Sequence, residues 1–326
     1  MFAYILRRVL YAVPILIGVN LITFALFFMV NSPDDMARMQ LGVKRVTPEA
    51  IQQWKAERGY DKPLFVNETA SGIAQVTDTV FYSKSLTLFA GEFGRSEDGR
   101  EIGQEIRERM GPSLAIAVPT FVVGLGLTVS LALFLVLFRG TWLDRTGVVL
   151  CVGLMSISSL FFIIGGQFLF ARVLQLVPIS GYSSNPLVAW HFLILPVAVA
   201  VVAGIGGSTR WYRTLFLEEI GKDYVRTARA KGLSDATVLF RHVLRNGLIP
   251  ILTGVVVVIP SLFMGSLLIE SFFGIPGLGS YTIDAIAAQD FAVVRAMVFL
   301  GSVLYLLGLI LTDLSYTLVD PRIRLK

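Results

Sequence analysis

Several apolar runs of 18 or more residues, almost free of charge, limit what this chain can fold into. A run of that length can cross a bilayer. Charged residues make up 16% of the sequence, against about 25% in soluble domains. The body is therefore expected to be helices packed in lipid, and the fold class an all-α membrane protein.

Six transmembrane helices are predicted, over residues 9–30, 113–138, 146–171, 187–205, 248–269 and 293–318. The first run would extend about 33 Å at 1.5 Å per residue, enough for about 30 Å of hydrocarbon. It reads as an uncleaved anchor, because it is too long for a cleaved leader and no small-x-small site precedes Asn31-Ser32-Pro33. Charge orients the spans. Arg7 and Arg8, the loop cations Arg139 and Arg145, the eight Lys/Arg of residues 209–247 and the tail residues Arg322, Arg324 and Lys326 fall on one side. The opposite short loops hold Arg172 and Arg295. The positive-inside rule then puts both termini and the basic segment in the cytoplasm. The net charge of +5 fits this orientation and makes no case for nucleic acid.

The expected organisation is a first helix over 1–30, a large extracytoplasmic loop over 31–112, a five-helix core over 113–318 and a cytoplasmic tail over 319–326. The long loop carries eleven Lys/Arg and thirteen Asp/Glu, the composition of a small folded element. Within it Ile102, Ile106 and Met110 share a helical face, expected to lie along the membrane surface. The lone Cys151, in an apolar run, excludes a disulfide framework and reads as a packing residue. Gly165-Gly166 and Gly206-Gly207 read as sites of close helix packing.

The sequence has no GxxxxGK[ST] phosphate loop, no HExxH and no GxSxG. Its two histidines, His191 and His242, are far apart in the predicted topology, and the span centres carry no charge. No catalytic residue and no metal ligand set is expected, and no cofactor bound by this chain.

The basic segment carries the most information. Residues 222–231 (KDYVRTARAK) favour a helix, and Gly232 would end it as a left-handed cap. Ser234 would cap a second short helix over 235–245, with Asp235 in its first turn. Two readings stand: an amphipathic hairpin on anionic headgroups, or a docking element for a cytoplasmic partner with Leu239 and Phe240 as apolar anchors.

The wording YVRTARAKGLSDATVLFRHVLRNGLIP resembles the cytoplasmic loop of ATP-binding-cassette importer permeases of the peptide/nickel class. Arg226, Thr227 and Ala228 take the places of Glu-Ala-Ala, and Gly232 that of the glycine; the leading Glu is thus Arg, and the following proline comes late, at Pro250. RRVLYAVPILIGVNLITF at the start, GYDKP (59–63), GEFGRS (91–96), VPISGY (177–182), ESFFGIPGLG (270–279) and DLSYTLVDPRIR (313–324) are also similar to family blocks. Asn31-Ser32-Pro33-Asp34-Asp35 departs from the family's Pro-Gly-Asp-Pro, and residues 64–90 do not align.

The resemblance implies a type I importer permease of the first-permease type, forming half of a pathway for peptides or peptide-like solutes. Its implied partners are a homologous second permease, two ATP-binding subunits that hold ATP and Mg, and an extracytoplasmic substrate-binding protein, all in or beside the lipid bilayer of the bacterial inner membrane. It also implies ATPase coupling through Arg226, Ala228, Gly232, Ser234, Asp235, Leu239, Phe240, His242, Arg245 and Asn246. Glu270, Pro276, Gly277 and Gly279 become candidates for an outer gate or receptor contact, and Asp313, Asp320, Pro321 and Arg322 for fixing the last span. The alternative is an autonomous secondary carrier or channel, and a second rival is an intramembrane enzyme.

Overall fold

A computed structural model describes residues 2–42 and 46–319. The tail residues Asp320, Pro321, Arg322, Arg324 and Lys326, given roles above, lie outside the described residues. In chain order the helices are α1 (Phe2–Ala25), α2 (Pro33–Leu41), α3 (Pro48–Arg58), α4 (Ala74–Thr77), α5 (Val80–Lys84), α6 (Ile102–Leu137), α7 (Trp142–Ser156), α8 (Ser159–Gly166), α9 (Pro186–Ile220), α10 (Asp223–Ala230), α11 (Asp235–Val238), α12 (Leu244–Ser261), α13 (Leu267–Phe273), α14 (Leu278–Ala287) and α15 (Phe291–Val319). Among the described residues the only extended pairing is a single bridge, Arg95 to Glu101.

Five helical stretches are long and apolar enough to cross a membrane: Leu6–Val30, Ile102–Leu137, Leu187–Ile220, Asp235–Met264 and Phe291–Ser315. The predicted third span is not one straight helix. It is the pair Trp142–Ser156 and Ser159–Val173, bent by 90°, and makes a sixth crossing if the pair is one broken span. Ile157 is extended, and Ser158 starts a new helix by accepting from Leu160 N at 3.4 Å. A serine cap inside an apolar run thus breaks the helix where hydropathy alone sees continuity.

Other boundaries move for similar reasons. The surface helix expected before the second span is continuous with it as α6, with Ile102 and Ile106 buried as the pattern predicts. The predicted fourth span runs on as α9 to Ile220, about 52 Å at 1.5 Å per residue. Residues 209–220, expected in the basic loop, therefore belong to a spanning helix. Arg295, counted with the outer short loops although it stands at the start of the predicted sixth span, falls inside α15 and is buried.

The chain divides into two compact units. One takes in Met1–Glu108 with Tyr281–Ile310. Its core is aromatic: the Phe24 ring lies 4.8 Å from Phe28 and 5.0 Å from Phe81, and Tyr60 packs on both Phe28 and Trp54. The long loop is thus a folded element. Gly59 in the left-handed region ends α3 and turns Tyr60 into this core. Burying such rings supplies large apolar area from a short chain.

The other unit is built from Arg109–Ser280 and, among the described residues, 311–319. Here α7 and α9 approach closely. A Cβ on Gly206 would stand 2.5 Å from the Cys151 carbonyl oxygen, and one on Gly166 would stand 2.7 Å from a Val199 methyl. Small residues allow such approach, and buried Cys151 is part of the same contact. Gly165 and Gly207 meet nothing nearer than 4.0 Å, so one member of each pair makes the contact. Gly206→Ala is expected to destabilise by about 1–3 kcal/mol, as overpacking does. Gly207→Ala should be neutral or stabilising by up to about 1 kcal/mol. Melting temperatures in detergent would check this, and equal values for the two variants would refute the contact.

Candidate functional site

The basic loop begins with a well-formed turn. Lys222 is the N-cap residue of α10, and the Glu219 carboxylate accepts from Lys222 and, at 2.6 Å, from the Tyr224 hydroxyl. Burial and this hydrogen bond push the Tyr224 phenol up to about 12, so it remains a donor at physiological pH. At the other end, Gly232 N donates to Arg229 O at 2.9 Å and Leu233 N to Ala228 O at 3.4 Å. This pair of bonds is a Schellman motif, and Gly232 has the φ of +79° it needs. Ser234 then caps α11 by accepting from Thr237 N at 3.3 Å, while Arg229 pairs with Asp235 across the turn at 3.0 Å.

The second half differs from expectation. No separate short helix over 235–245 forms; α11 continues through a π-turn, Leu239–Val243, into α12. An i→i+5 turn inserts an extra residue. With it Val238, Leu239 and Val243 are all buried, packed with Val136, Phe216, Val225 and Ala228. Asn246 bonds back to His242 O at 2.9 Å, and Gly247 lies under the Phe216 ring, so nothing interrupts the helix at 245–247.

Burial separates the predicted coupling residues into two groups. Arg226, Gly232, Ser234, Asp235, Phe240, Arg245 and Asn246 are exposed, and His242 is half-buried. Ala228 and Leu239 are inside the core. The expectation that Leu239 presents an apolar anchor is corrected: it is 2% exposed, whereas Phe240 is 55% exposed. Leu233 is a further exposed apolar side chain on this turn.

The segment ESFFGIPGLG closes α13, turns compactly over 274–277 and opens α14. The predicted fifth span stops short of it, because Gly265 takes a φ of +67° and ends the helix. Glu270 is 0% exposed. Its carboxylate accepts from Ser266 N at 3.1 Å and Ser280 N at 3.0 Å, with the Ser113 hydroxyl and the Gly279 backbone beside it. Ser113 in turn accepts from Leu278 N at 2.7 Å. A Cβ on Gly265 or Gly277 would collide with this carboxylate. The Glu270 carboxylate therefore faces the turn itself, with Gly277 and Gly279 buried around it, while Phe272 and Pro276 are exposed.

A polar clamp went unnoticed in the sequence. Asp144 receives both forks of Arg213, at 2.9 and 2.8 Å, and caps Gly140 N at 3.1 Å. The two residues lie 69 positions apart, and only the extension of α9 beyond its predicted end brings Arg213 within reach. Among the described residues no group of three or more His, Cys, Asp or Glu comes together to hold a metal.

Comparison with known proteins decides the family. A model described as binding-protein-dependent transport system inner membrane component matches residues 113–325, and a companion N-terminal model matches residues 1–110. The chain belongs to this permease family. It is 32% identical over 99% of both chains to a protein of Brucella abortus (strain 2308) named as a peptide transport system permease. It is 30% identical to the oligopeptide transport system permease protein AppB of Bacillus subtilis (strain 168), with 99% of each covered. It is also 30% identical to the dipeptide transport system permease protein DppB of Escherichia coli (strain K12), with both chains covered in full. These relatives are permease subunits rather than enzymes, and the permease is a multi-pass inner-membrane protein.

A Cβ at residue 232 meets nothing within 4 Å, so substitution there strains only the backbone. Gly232→Asn should leave the loop intact, while Gly232→Val should destabilise it by about 1–2 kcal/mol. Faster amide exchange over residues 223–243 in the valine variant alone is the expected readout. Glu270→Ala should orphan two or more buried N–H groups and cost about 2–6 kcal/mol. Glu270→Gln, which keeps one acceptor oxygen, should fall between it and the native permease in detergent melting. Native stability of Glu270→Ala would show that the carboxylate does not hold the turn.

Proposed function

We propose that this permease forms half of the translocation pathway of an ATP-driven importer for peptides or peptide-like solutes, and that its basic loop seats an ATP-binding subunit on the cytoplasmic side. The observation that carries the coupling role is Phe240, an aromatic ring left exposed on a loop whose other large apolar side chains, Leu233 apart, pack inward. Exposed aromatics ringed by cations are typical anchors of protein interfaces. Arg241 and Arg245 follow Phe240 within five residues, Arg226 lies on α10, and all three are exposed cations that could serve as that rim. The names of the relatives support the peptide cargo.

In this reading the other subunits are a homologous second permease, a second ATP-binding subunit and an extracytoplasmic substrate-binding protein. ATP and Mg reside on the ATP-binding subunits. Closure of those subunits would pull on the Gly232 turn, and continuity of α11 with α12 would carry that displacement into a spanning helix. Such rigid-body transfer is an established route to alternating access. The ESFFGIPGLG turn would face the outside as a gate or receptor contact, with Glu270 holding its shape and Phe272 and Pro276 available to a partner. An autonomous carrier or channel would need neither the exposed ring nor an ATPase.

The test is co-purification of the tagged permease with its ATP-binding subunits, together with ATP-dependent uptake. Phe240→Asp should leave the permease folded and reduce ATPase recovery tenfold or more, as loss of an interface anchor of about 2 kcal/mol would. Leu239→Asp should instead lower the yield and melting temperature of the permease itself, because it buries a charge in its core. Full ATPase recovery and uptake with Phe240→Asp would refute the seat.

A further inference from the structure

The unit containing the long loop encloses a cavity of about 510 Å³ that none of the roles above uses. Small-molecule sites fall in the range of roughly 300–1,000 Å³. Two cations form its buried side. Arg295 is 5% exposed, donates to Phe291 O at 3.2 Å and to Lys84 O at 3.3 Å, and lies 4.8 Å from the Phe28 ring centre. Lys84, half-buried, sits 5.2 Å from the Tyr60 ring centre. Among the described residues neither forms an ion pair. Buried charges are normally paired, so two adjacent cations without an anion call for one.

The neighbouring carboxylates are engaged elsewhere. Glu97 holds Arg58 at 2.5 and 2.8 Å. Asp290 accepts from the backbone N–H groups of Glu97 at 2.7 Å and Val293 at 3.1 Å. Burial, and then the like charge of Arg295, hold the Lys84 ammonium below the usual lysine range, as expected for a cation that lacks its counter-ion. The exposed rim is different: it carries the acidic Glu92 and Glu57, the latter also holding Gln53 at 3.1 Å and Arg58 at 3.7 Å, with Arg95 beside them. A cationic floor and a partly acidic mouth match the two ends of one small zwitterion.

We propose that this cavity binds a small zwitterionic solute, an amino acid or short peptide, with its carboxylate held by Lys84 and Arg295 and its ammonium directed to Glu57 and Glu92. The choice of a peptide probe rests on the proposed transport function; the carboxylate site does not. The site would be a second point of recognition on the permease itself.

The test is calorimetry on the full-length permease in detergent, titrated with Ala-Ala, with its C-terminal amide, with N-acetyl-Ala-Ala and with inorganic phosphate. Ala-Ala should bind saturably, and amidation should weaken it tenfold or more. Lys84→Met should weaken it about ten- to hundredfold, as loss of a hydrogen bond to a charged group does. Lys84→Arg should stay within a few-fold of the native chain. Glu92→Gln should weaken Ala-Ala while leaving N-acetyl-Ala-Ala unchanged, and this variant serves even if Lys84→Met fails to fold. No saturable binding, equal binding of the amide, or phosphate binding as tight as Ala-Ala would overturn the assignment. Uptake by the assembled importer separates the two proposals. Retained binding without peptide uptake would refute the transport reading alone, and retained uptake without binding would refute this site alone.

Discussion

Wherever this chain leaves the helix within an apolar body, the freed backbone groups must find partners from protein. That constraint is met most fully at Glu270. The helix breaks at Gly265, resumes as α13 from Leu267, turns again through Gly274 and Gly277, and restarts as α14 at Leu278. The N–H groups of Ser266 and Ser280 converge on one carboxylate, and Leu278 N finds the Ser113 hydroxyl instead. A carboxylate has about four acceptor positions, so one side chain can satisfy what would otherwise be several buried orphans. The two glycines against it leave the room that its oxygens occupy. Exchange of any of these parts would expose the others to the penalty of an unpaired polar group.

The same rule operates at smaller scale in the other breaks. Ser158 restarts the bent α7–α8 pair with its own hydroxyl, Asn185 caps α9 by accepting from Leu187 N, and Gly232 ends α10 with two reverse bonds. At the basic loop the consequence is a surface fixed from beneath. Val225, Ala228, Val238, Leu239 and Val243 are packed inward on α6 and α9 residues, so the loop is held by its apolar side. A loop held in this way can transmit a pull, whereas a hairpin resting on headgroups would slide. The apolar packing beneath the loop therefore favours the docking reading over the surface-hairpin reading.

The helical class and the positions of most spans were legible in hydropathy, because lipid leaves an apolar run no alternative to the helix. The caps at Gly232 and Ser234 were legible because their residue types answer a local geometric need. The errors came from interactions that period and propensity do not encode. The break at residues 157–158 hid in an apolar run. The extension of α9 to Ile220 hid behind a change of composition at Thr209, although nothing there stops a helix. A 3.6-residue wheel places Leu239 on one face with Val238, His242 and Val243, but the period does not say that this face packs on the chain's own core rather than on a partner. The Asp144–Arg213 clamp joins two segments 69 residues apart, and neither segment announces the other.

Family wording and physical role are therefore not the same thing at each position. In YVRTARAKGLSDATVLFRHVLRNGLIP the shared words include residues that build the loop and residues that the loop displays. Ala228 sits where the resemblance places a motif alanine, and its small side chain lets α10 pack into the core formed with Val136 and Phe216. Arg226, at the motif's first position, points away from that core and is exposed. An alanine that packs and an arginine that does not are under different physical constraints. The first tolerates no larger volume and the second tolerates any soluble side chain that its partner accepts. In the permease, specificity for an ATP-binding subunit would thus rest on the exposed positions, and the mechanical stiffness that makes such contact useful on the buried ones.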